Sequence, residues 1–269
     1  MTRREEVEIK SRSEILLMRE AGLVVARTLD KLRSAVRPGI STKELDELAE
    51  SSIRGEGAIP SFLNYGGHMG QPGFRGSICA SVNEEVVHGL ASDRELNFGD
   101  IVSLDVGVFY KGFVGDTART VAVGGCGVLA QRLMDVTERA LYEGIAAAVP
   151  GNRVTDISRA VQNYVEANGF SVVREFVGHG VGRVMHEEPQ VPNFVDRKMN
   201  DKLRAGMTIA IEPMVNAGQA AVKILKDGWT VVTQDGSLSA HFEHTVLITD
   251  GKPEILTWPE KKPSALKVA

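Results

Sequence analysis

The sequence predicts an α/β protein of the α+β kind. Two similar halves pool their strands into a central, mainly antiparallel sheet and keep their helices outside. Three observations predict this. A pair of helices joined by a Pro-Gly turn is written twice, about 112 residues apart. Strand-like runs follow each pair. Three of those runs carry a lone carboxylate on an otherwise apolar strand.

The first helix is announced by Ser11 and Glu14, which have capping-box spacing. Ile15, Met18, Gly22, Val25, Leu29, Leu32 and Val36 then recur every three or four residues as one apolar stripe. Pro38-Gly39 stops it. Ser41 and Glu44 open a second helix with Leu45, Leu48 and Ile53 on its buried face, closed by Gly55 and Gly57. The second copy runs from Leu129 through Leu133, Val136 and Ala140 to Pro150-Gly151. Thr155 is the expected cap of its partner helix, buried at Ile157, Ala160, Val161 and Tyr164 and closed by Asn168-Gly169. A two-copy repeat of this length implies two halves packed face to face rather than a solenoid; chance likeness of two helical hairpins is the competing explanation. One catalytic domain is expected over residues 13–260, with half-repeats at about 13–125 and 126–260 and short tails at 1–12 and 261–269.

Strands are expected at Gly76–Val82, Ile101–Phe109 and Arg119–Val123, then at Thr208–Ile211, Trp229–Thr233 and Phe242–Ile248. Side chains alternate along a strand. In Ile101–Phe109 the residues Val102, Leu104, Val106 and Val108 point one way, and Ser103, Asp105 and Gly107 the other. Ile209 and Ile211 oppose Thr208, Ala210 and Glu212; Phe242, Val246 and Ile248 oppose Glu243 and Thr245. Pro213 cannot donate to a ladder and ends its strand.

Several function classes drop out on composition. Net charge is −4 with no Lys/Arg block, which argues against a nucleic-acid-binding domain. Arg3-Arg4 and Lys261-Lys262 read as solvated ends, with docking to an RNA-rich particle as the alternative. Two cysteines, Cys79 and Cys126, make no disulfide framework, so a reducing cytoplasm is expected. The N-terminus has no apolar signal-peptide core, and no apolar run is long enough for a membrane span. No exposed apolar stripe is evident, so a monomer is expected.

Asp105, Asp116, His179, Glu212 and Glu243 are candidate ligands for a pair of divalent cations, a set suited to hydrolysis. Any one of them alone reads more simply: an Asp on a strand face is ordinarily solvated or paired with a cation such as Arg119, and a lone His is ordinarily structural. The set decides, because burying several carboxylates together is prohibitive unless cations neutralise them. Gly178 and Gly180 flank His179 and clear space around its ring.

At this point the residues resemble a known family. Asp105-Val106-Gly107, Gly115-Asp116-Thr117, Gly178-His179-Gly180-Val181-Gly182, Ile211-Glu212-Pro213 and Phe242-Glu243-His244-Thr245 are similar to segments of type I methionine aminopeptidases. So are Asp227–Thr230, Ser237–Ala240 and Asn83–Gly89, and the likeness runs from about Ile15 to Thr257. The resemblance implies the pita-bread fold with pseudo-twofold halves. It implies removal of the initiator methionine from nascent polypeptide N-termini, favoured by a small second residue, with transient ribosome association. Asp105 would chelate one ion, Asp116 and Glu243 would bridge both, and His179 and Glu212 would complete the other shell. Glu212 would also shuttle a proton, His186 would donate to the developing oxyanion, and His88 would orient the peptide beyond the cleaved bond. Tyr65, Cys79, Met185 and Trp229 would line the methionine slot; the plainer alternatives are core or rim aromatics and, for Cys79, a small strand hydrophobe. Mixed carboxylate and imidazole ligation suits Mn, Fe, Co or Zn.

The chain departs from the family pattern in places. Met185 stands where bacterial members commonly have Phe, and His241 where Gln is frequent. The loop at 66–76, with His68, is longer, and a short form without a zinc-binding N-terminal extension is expected. Three rivals compete: a proline-specific aminopeptidase or prolidase, a catalytically dead peptide or ribosome binder, and a mononuclear zinc enzyme. The first normally carries an extra N-terminal domain, the second loses ligands, and the third uses mostly His or Cys.

Overall fold

The computed structural model describes residues 6–67 and 72–258. The first half holds helices α1 (Arg12–Ala35) and α2 (Thr42–Gly55), then strands β1 (Ile59–Pro60), β2 (Cys79–Val82), β3 (Glu85–Val87), β4 (Ile101–Tyr110) and β5 (Phe113–Ala122). The second half holds α3 (Val128–Ala147), α4 (Val154–Ala167), β6 (Ser171–Val172), β7 (Gly178–Gly180), β8 (Glu187–Val191) and β9 (Thr208–Ile211). It continues through β10 (Met214–Asn216), β11 (Val222–Ile224), β12 (Val231–Thr233), β13 (Ser239–His241), β14 (Glu243–Leu247) and β15 (Glu254–Ile255).

Both expected capping boxes form. Glu14 N donates to Ser11 Oγ at 3.4 Å and Ser11 N to Glu14 Oε2 at 2.7 Å; Ser41 and Glu44 do the same at 3.1 and 2.8 Å. The repeat register is constant. α2 and α4 begin at 42 and 154 and end at 55 and 167, an offset of 112 at both ends. Gly39 and Gly151, and likewise Gly57 and Gly169, all take positive φ at matching positions. Thr155 is not the cap of α4. Position 153 corresponds to Ser41, and Arg153 N donates to Asp156 Oδ2 at 2.8 Å, while Thr155 Oγ1 turns to Asn200. A carboxylate three residues on does half of the box's work without a hydroxyl, so the signal was in Asp156.

The central sheet runs β1-β4-β5-β14-β9-β7-β8, with β2 on β4 and β15 on β14. Each of its pairings is antiparallel. The halves join where β5 meets β14, Ala118 opposite Glu243. One apolar cluster packs α3 and α4 on the second half, through Leu133, Leu141, Ile157 and Ile209; another packs α1 and α2 on the first, through Val25, Leu32, Leu45 and Leu104. Pro213 separates β9 in this sheet from β10 in a small sheet ordered β13-β10-β6. Several expected strands are trimmed: 76–78 and 229–230 are irregular, and Phe242 interrupts pairing between β13 and β14. The strand expected from Arg119 instead begins at Phe113 and so contains Asp116.

The segment read as an N-terminal tail is attached from Val7 onward. Val7 packs on the second-half core, and Lys10 N donates to Gly206 O at 2.8 Å. Residues 1–5, His68 in the long loop and the tail at 261–269 lie outside the described residues.

Candidate metal centre

Register explains why the carboxylates converge. Asp105 on β4 faces Ala118 on β5, which faces Glu243 on β14. Two interstrand steps of ~4.8 Å separate the outer pair, and the small Ala118 lets both side chains lean inward. Asp116, two residues along β5, shares that face. Gly107 opposes Asp116 in the register. A Cβ on Gly107 would lie 2.2 Å from Ser61 Oγ and 2.9 Å from Met185 Cε, so that position needs glycine for space. Glu212 follows β9 directly, and His179 sits mid-β7.

His179 Nδ1 lies 2.8 Å from Gly180 O, so Nδ1–H donates there and Nε2 is left facing the carboxylates. That Nε2 lies 3.7 Å from Asp116 Oδ2 and 3.5 Å from Glu212 Oε1. Ligand atoms of Asp116, His179 and Glu243 all lie within 4.8 Å of one another. All three residues are buried, while Asp105 and Glu212 keep some surface open to the cavity.

The electrostatics are those of an anionic cluster out of water. Burial raises Asp105 well above the carboxylate range, helped by Asp116. Burial lifts Asp116 to about 7. Glu212 and Glu243 are raised well above their usual value by burial first and by the neighbouring carboxylates second. Burial also holds His179 and His241 down at about 3 and His88 at about 4, all neutral. Among the described residues no Lys or Arg pairs with any of the four carboxylates; Arg119 pairs instead with Glu138 at 2.6 Å. Asp105 Oδ1, Asp116 Oδ1 and Glu243 Oε1 are buried with no hydrogen-bond partner. Orphaned carboxylate oxygens beside a neutral imidazole fit divalent cations.

The cluster floors a cavity of about 160 Å³, roughly five water volumes. Every residue singled out from the sequence lines it: the five ligand candidates, His88, His186, Tyr65, Cys79, Met185 and Trp229. Tyr65 Oη lies 2.5 Å from His186 Nδ1, and the His186 ring centroid is 4.2 Å from that of His179. Burial pushes the Cys79 thiol up, so it stays protonated and apolar in character. Six wall residues were missed: Phe62, Phe74, Val87, Phe176, Val177 and Met214. Phe74 stands edge-on to Trp229 at 5.4 Å, and Phe176 to His88 at 5.4 Å. The three phenylalanines lie in segments without periodicity, so only their closeness to His179 and Tyr65 in sequence could have pointed to them. His241 also reaches in; its Nε2 is buried without a hydrogen bond, 3.7 Å from Glu212 Oε2.

Residues 16–250 match the model of metallopeptidase family M24. The chain belongs to that family, among its methionine aminopeptidases. A methionine aminopeptidase of Clostridium perfringens is 54% identical over 93% of this chain and 98% of its own. Methionine aminopeptidase 1 of Bacillus subtilis is 52% identical over 92% and 98%. The crystal structure of methionine aminopeptidase from Rickettsia prowazekii superposes with a TM-score of 0.90 at 41% identity, covering 94% of this chain and 100% of that one. Prolidase from Pyrococcus furiosus has a TM-score of 0.76 at 22% identity, covering 94% and 66%, a likeness of fold alone. Membership of M24 makes this a metal-dependent peptidase, and its fold is the pita-bread fold expected from the resemblance. No helix among the described residues is long and apolar enough to cross a membrane.

Proposed function

We propose that the protein removes the N-terminal methionine from newly made chains, favouring a small second residue, with two divalent ions held by the cluster. One observation carries the reading: four carboxylates and a neutral imidazole meet, with no Lys or Arg among the described residues beside them, beneath a small aromatic-walled cavity. Asp105, Asp116 and Glu243 would hold one ion, and Asp116, Glu243, His179 and Glu212 the other; Mn, Fe, Co and Zn all suit the donors. When bound, the ions supply water activation at neutral pH, an anchor for the substrate's free amine, and positive charge for the developing oxyanion.

The remaining work falls to the chain. Glu212 takes a proton from the attacking water and delivers it to the leaving amine nitrogen. Tyr65 O–H donates to His186 Nδ1, which places the ring proton on Nε2, where it donates to the oxyanion. His88, held edge-on between Phe176 and Trp229, orients the peptide beyond the cleaved bond. Tyr65, Cys79, Met185 and Trp229 enclose the methionine side chain and exclude water from it. His241 Nε2 stands 3.7 Å behind Glu212 Oε2 and would donate to it once Glu212 turns to hold an ion. Such substrates appear where proteins are made, so we place the enzyme in the cytoplasm, meeting nascent chains at or soon after the ribosome.

The test is methionine release from Met-Gly-Met-Met by the purified protein with Mn or Co, run beside X-Pro peptides. Release of methionine with X-Pro peptides intact supports the reading. Cleavage of X-Pro alone moves the assignment to the prolidase-like branch, and no turnover with any metal favours a binding protein.

A further inference from the structure

His186 sits in no strand but in the turn that joins β7 to β8. A donor aimed at a developing charge must be held to a fraction of an ångström. Val181 and Met185 anchor this turn in an apolar cluster, while the stretch between them is open, with Val184 57% exposed. Its shape is set by Glu187. Arg183 N donates to Glu187 Oε1 at 2.7 Å, and Val184 N reaches the same oxygen at 3.4 Å. The other oxygen, Oε2, accepts from Lys10 Nζ at 2.6 Å.

Lys10 is built into this position. Its side chain is 1% exposed, and its ammonium also meets Glu8 Oε2 at 2.5 Å. A buried ammonium is tolerated only when paired in this way. Gly182, at the start of the turn, leaves the room: a Cβ there would lie 2.4 Å from Lys10 Cε and 2.6 Å from Nζ. Lys10 N is tied to Gly206 O, which fixes the backbone that presents the side chain. A second tie runs in parallel, from Arg183 Nη2 to Glu14 Oε1 at 2.8 Å in the first turn of α1, with the Arg183 guanidinium over the Phe113 ring.

We propose that Lys10 is a positioning residue: through Glu187 it holds the turn that presents His186 to the reacting carbonyl, so the segment before α1 is part of the active-site scaffold. The proposal rests on the role given to His186 above. It predicts an effect on turnover transmitted through His186, with metal and peptide binding kept, because Met185 beside it is held separately by its apolar cluster.

The test places Lys10→Met and Glu187→Gln each on two backgrounds, intact His186 and His186→Ala. kcat and KM are measured on Met-Gly-Met-Met with Mn, and Mn affinity by calorimetry. With His186 intact, Lys10→Met lowers kcat on the order of tenfold while KM and Mn affinity stay within about twofold, and Lys10→Arg regains most of the loss. On the His186→Ala background Lys10→Met adds nothing. Equal losses on both backgrounds, or no loss with His186 intact, overturn the proposal. Should Lys10→Met not fold, Glu187→Gln, which keeps size and loses charge, carries the same comparison. An activity-free reading comes from the histidine ring resonances of the metal-free protein. In Lys10→Met those of His186 move and those of His88 stay; unmoved His186 resonances overturn the proposal. Absence of turnover in the unaltered protein would sink the peptidase reading and the catalytic role of His186 with it, whereas the ring resonances separately decide whether Lys10 holds the turn.

Discussion

Removing divalent cations should leave a protein that loses stability as pH rises from 6.5 to 8.5. Burial holds Asp105, Glu212 and Glu243 well above the carboxylate range and Asp116 at about 7. In the unfolded chain the same groups titrate near ~4. A group whose folded pKa is raised contributes stability at low pH and loses it as pH climbs through that value. Each proton that only the folded chain holds costs ~1.4 kcal/mol per pH unit. For each of these groups that still holds its proton at pH 8.5 the loss would be ~3 kcal/mol, and Asp116 crossing its own pKa removes about 1 kcal/mol more. His88, His179, His241 and His244, held at about 4, 3, 3 and 3, are neutral in the folded chain but still half protonated in the unfolded chain at ~6.5. Together they give back roughly 1.6 kcal/mol by pH 8.5, His186 adds in the same direction, and a net loss of about 2 kcal/mol remains for one such carboxyl. Below that pH the unfolded chain binds protons that these rings refuse, so stability turns down again and the stripped protein has its optimum near ~6.5. In a chain of this size ~2 kcal/mol is ~4–8 °C in Tm. Cations replace the cluster's protons and bind more tightly as the ligands ionise, so saturating Mn should flatten or reverse the slope. The assay is denaturant and thermal unfolding of chelated and Mn-loaded protein across the window. A chelated protein whose Tm holds level or rises toward pH 8.5 would refute the reasoning, because the carboxylates would then already be ionised without cations.

Glu212→Gln and His179→Ala should each abolish methionine release while circular dichroism and cooperative unfolding persist; retained turnover would refute their assigned roles. His186→Ala should cost ~10²-fold or more in kcat with Mn affinity kept, checked by kinetics beside calorimetry. His241→Ala should weaken Mn binding about tenfold by freeing Glu212, measured by competition with a chelating dye; unchanged affinity would show that His241 does not steady Glu212. Met185→Ala should lower kcat/KM for methionine peptides by ~10-fold or more through lost apolar contact, and an unchanged value would place Met185 outside the methionine slot.

Much of this was legible in the sequence because the relevant signals are periodic. Period-two alternation put Asp105 and Glu243 on polar faces, and the register then brought them together across Ala118. The two Ser-x-x-Glu patterns marked α1 and α2. What stayed hidden depends on contacts between distant segments. Phe62, Phe74 and Phe176 lie in irregular chain, where an aromatic residue carries no directional signal, yet they wall the cavity. Lys10 fell inside the stretch read as an N-terminal tail, because nothing local announces a partner 177 residues away. His241 stood out only as a departure from the family pattern; its nearness to Glu212 arises from the pairing of β13 with β10, His241 opposite Met214.

The most direct measurement is anomalous X-ray scattering from crystals soaked in Mn, read at the carboxylate cluster. The account predicts two peaks there, flanked by Asp105, Asp116, His179, Glu212 and Glu243, and their loss in Asp116→Asn. Mn found only at surface carboxylates, with the cluster vacant at saturating concentration, would contradict it.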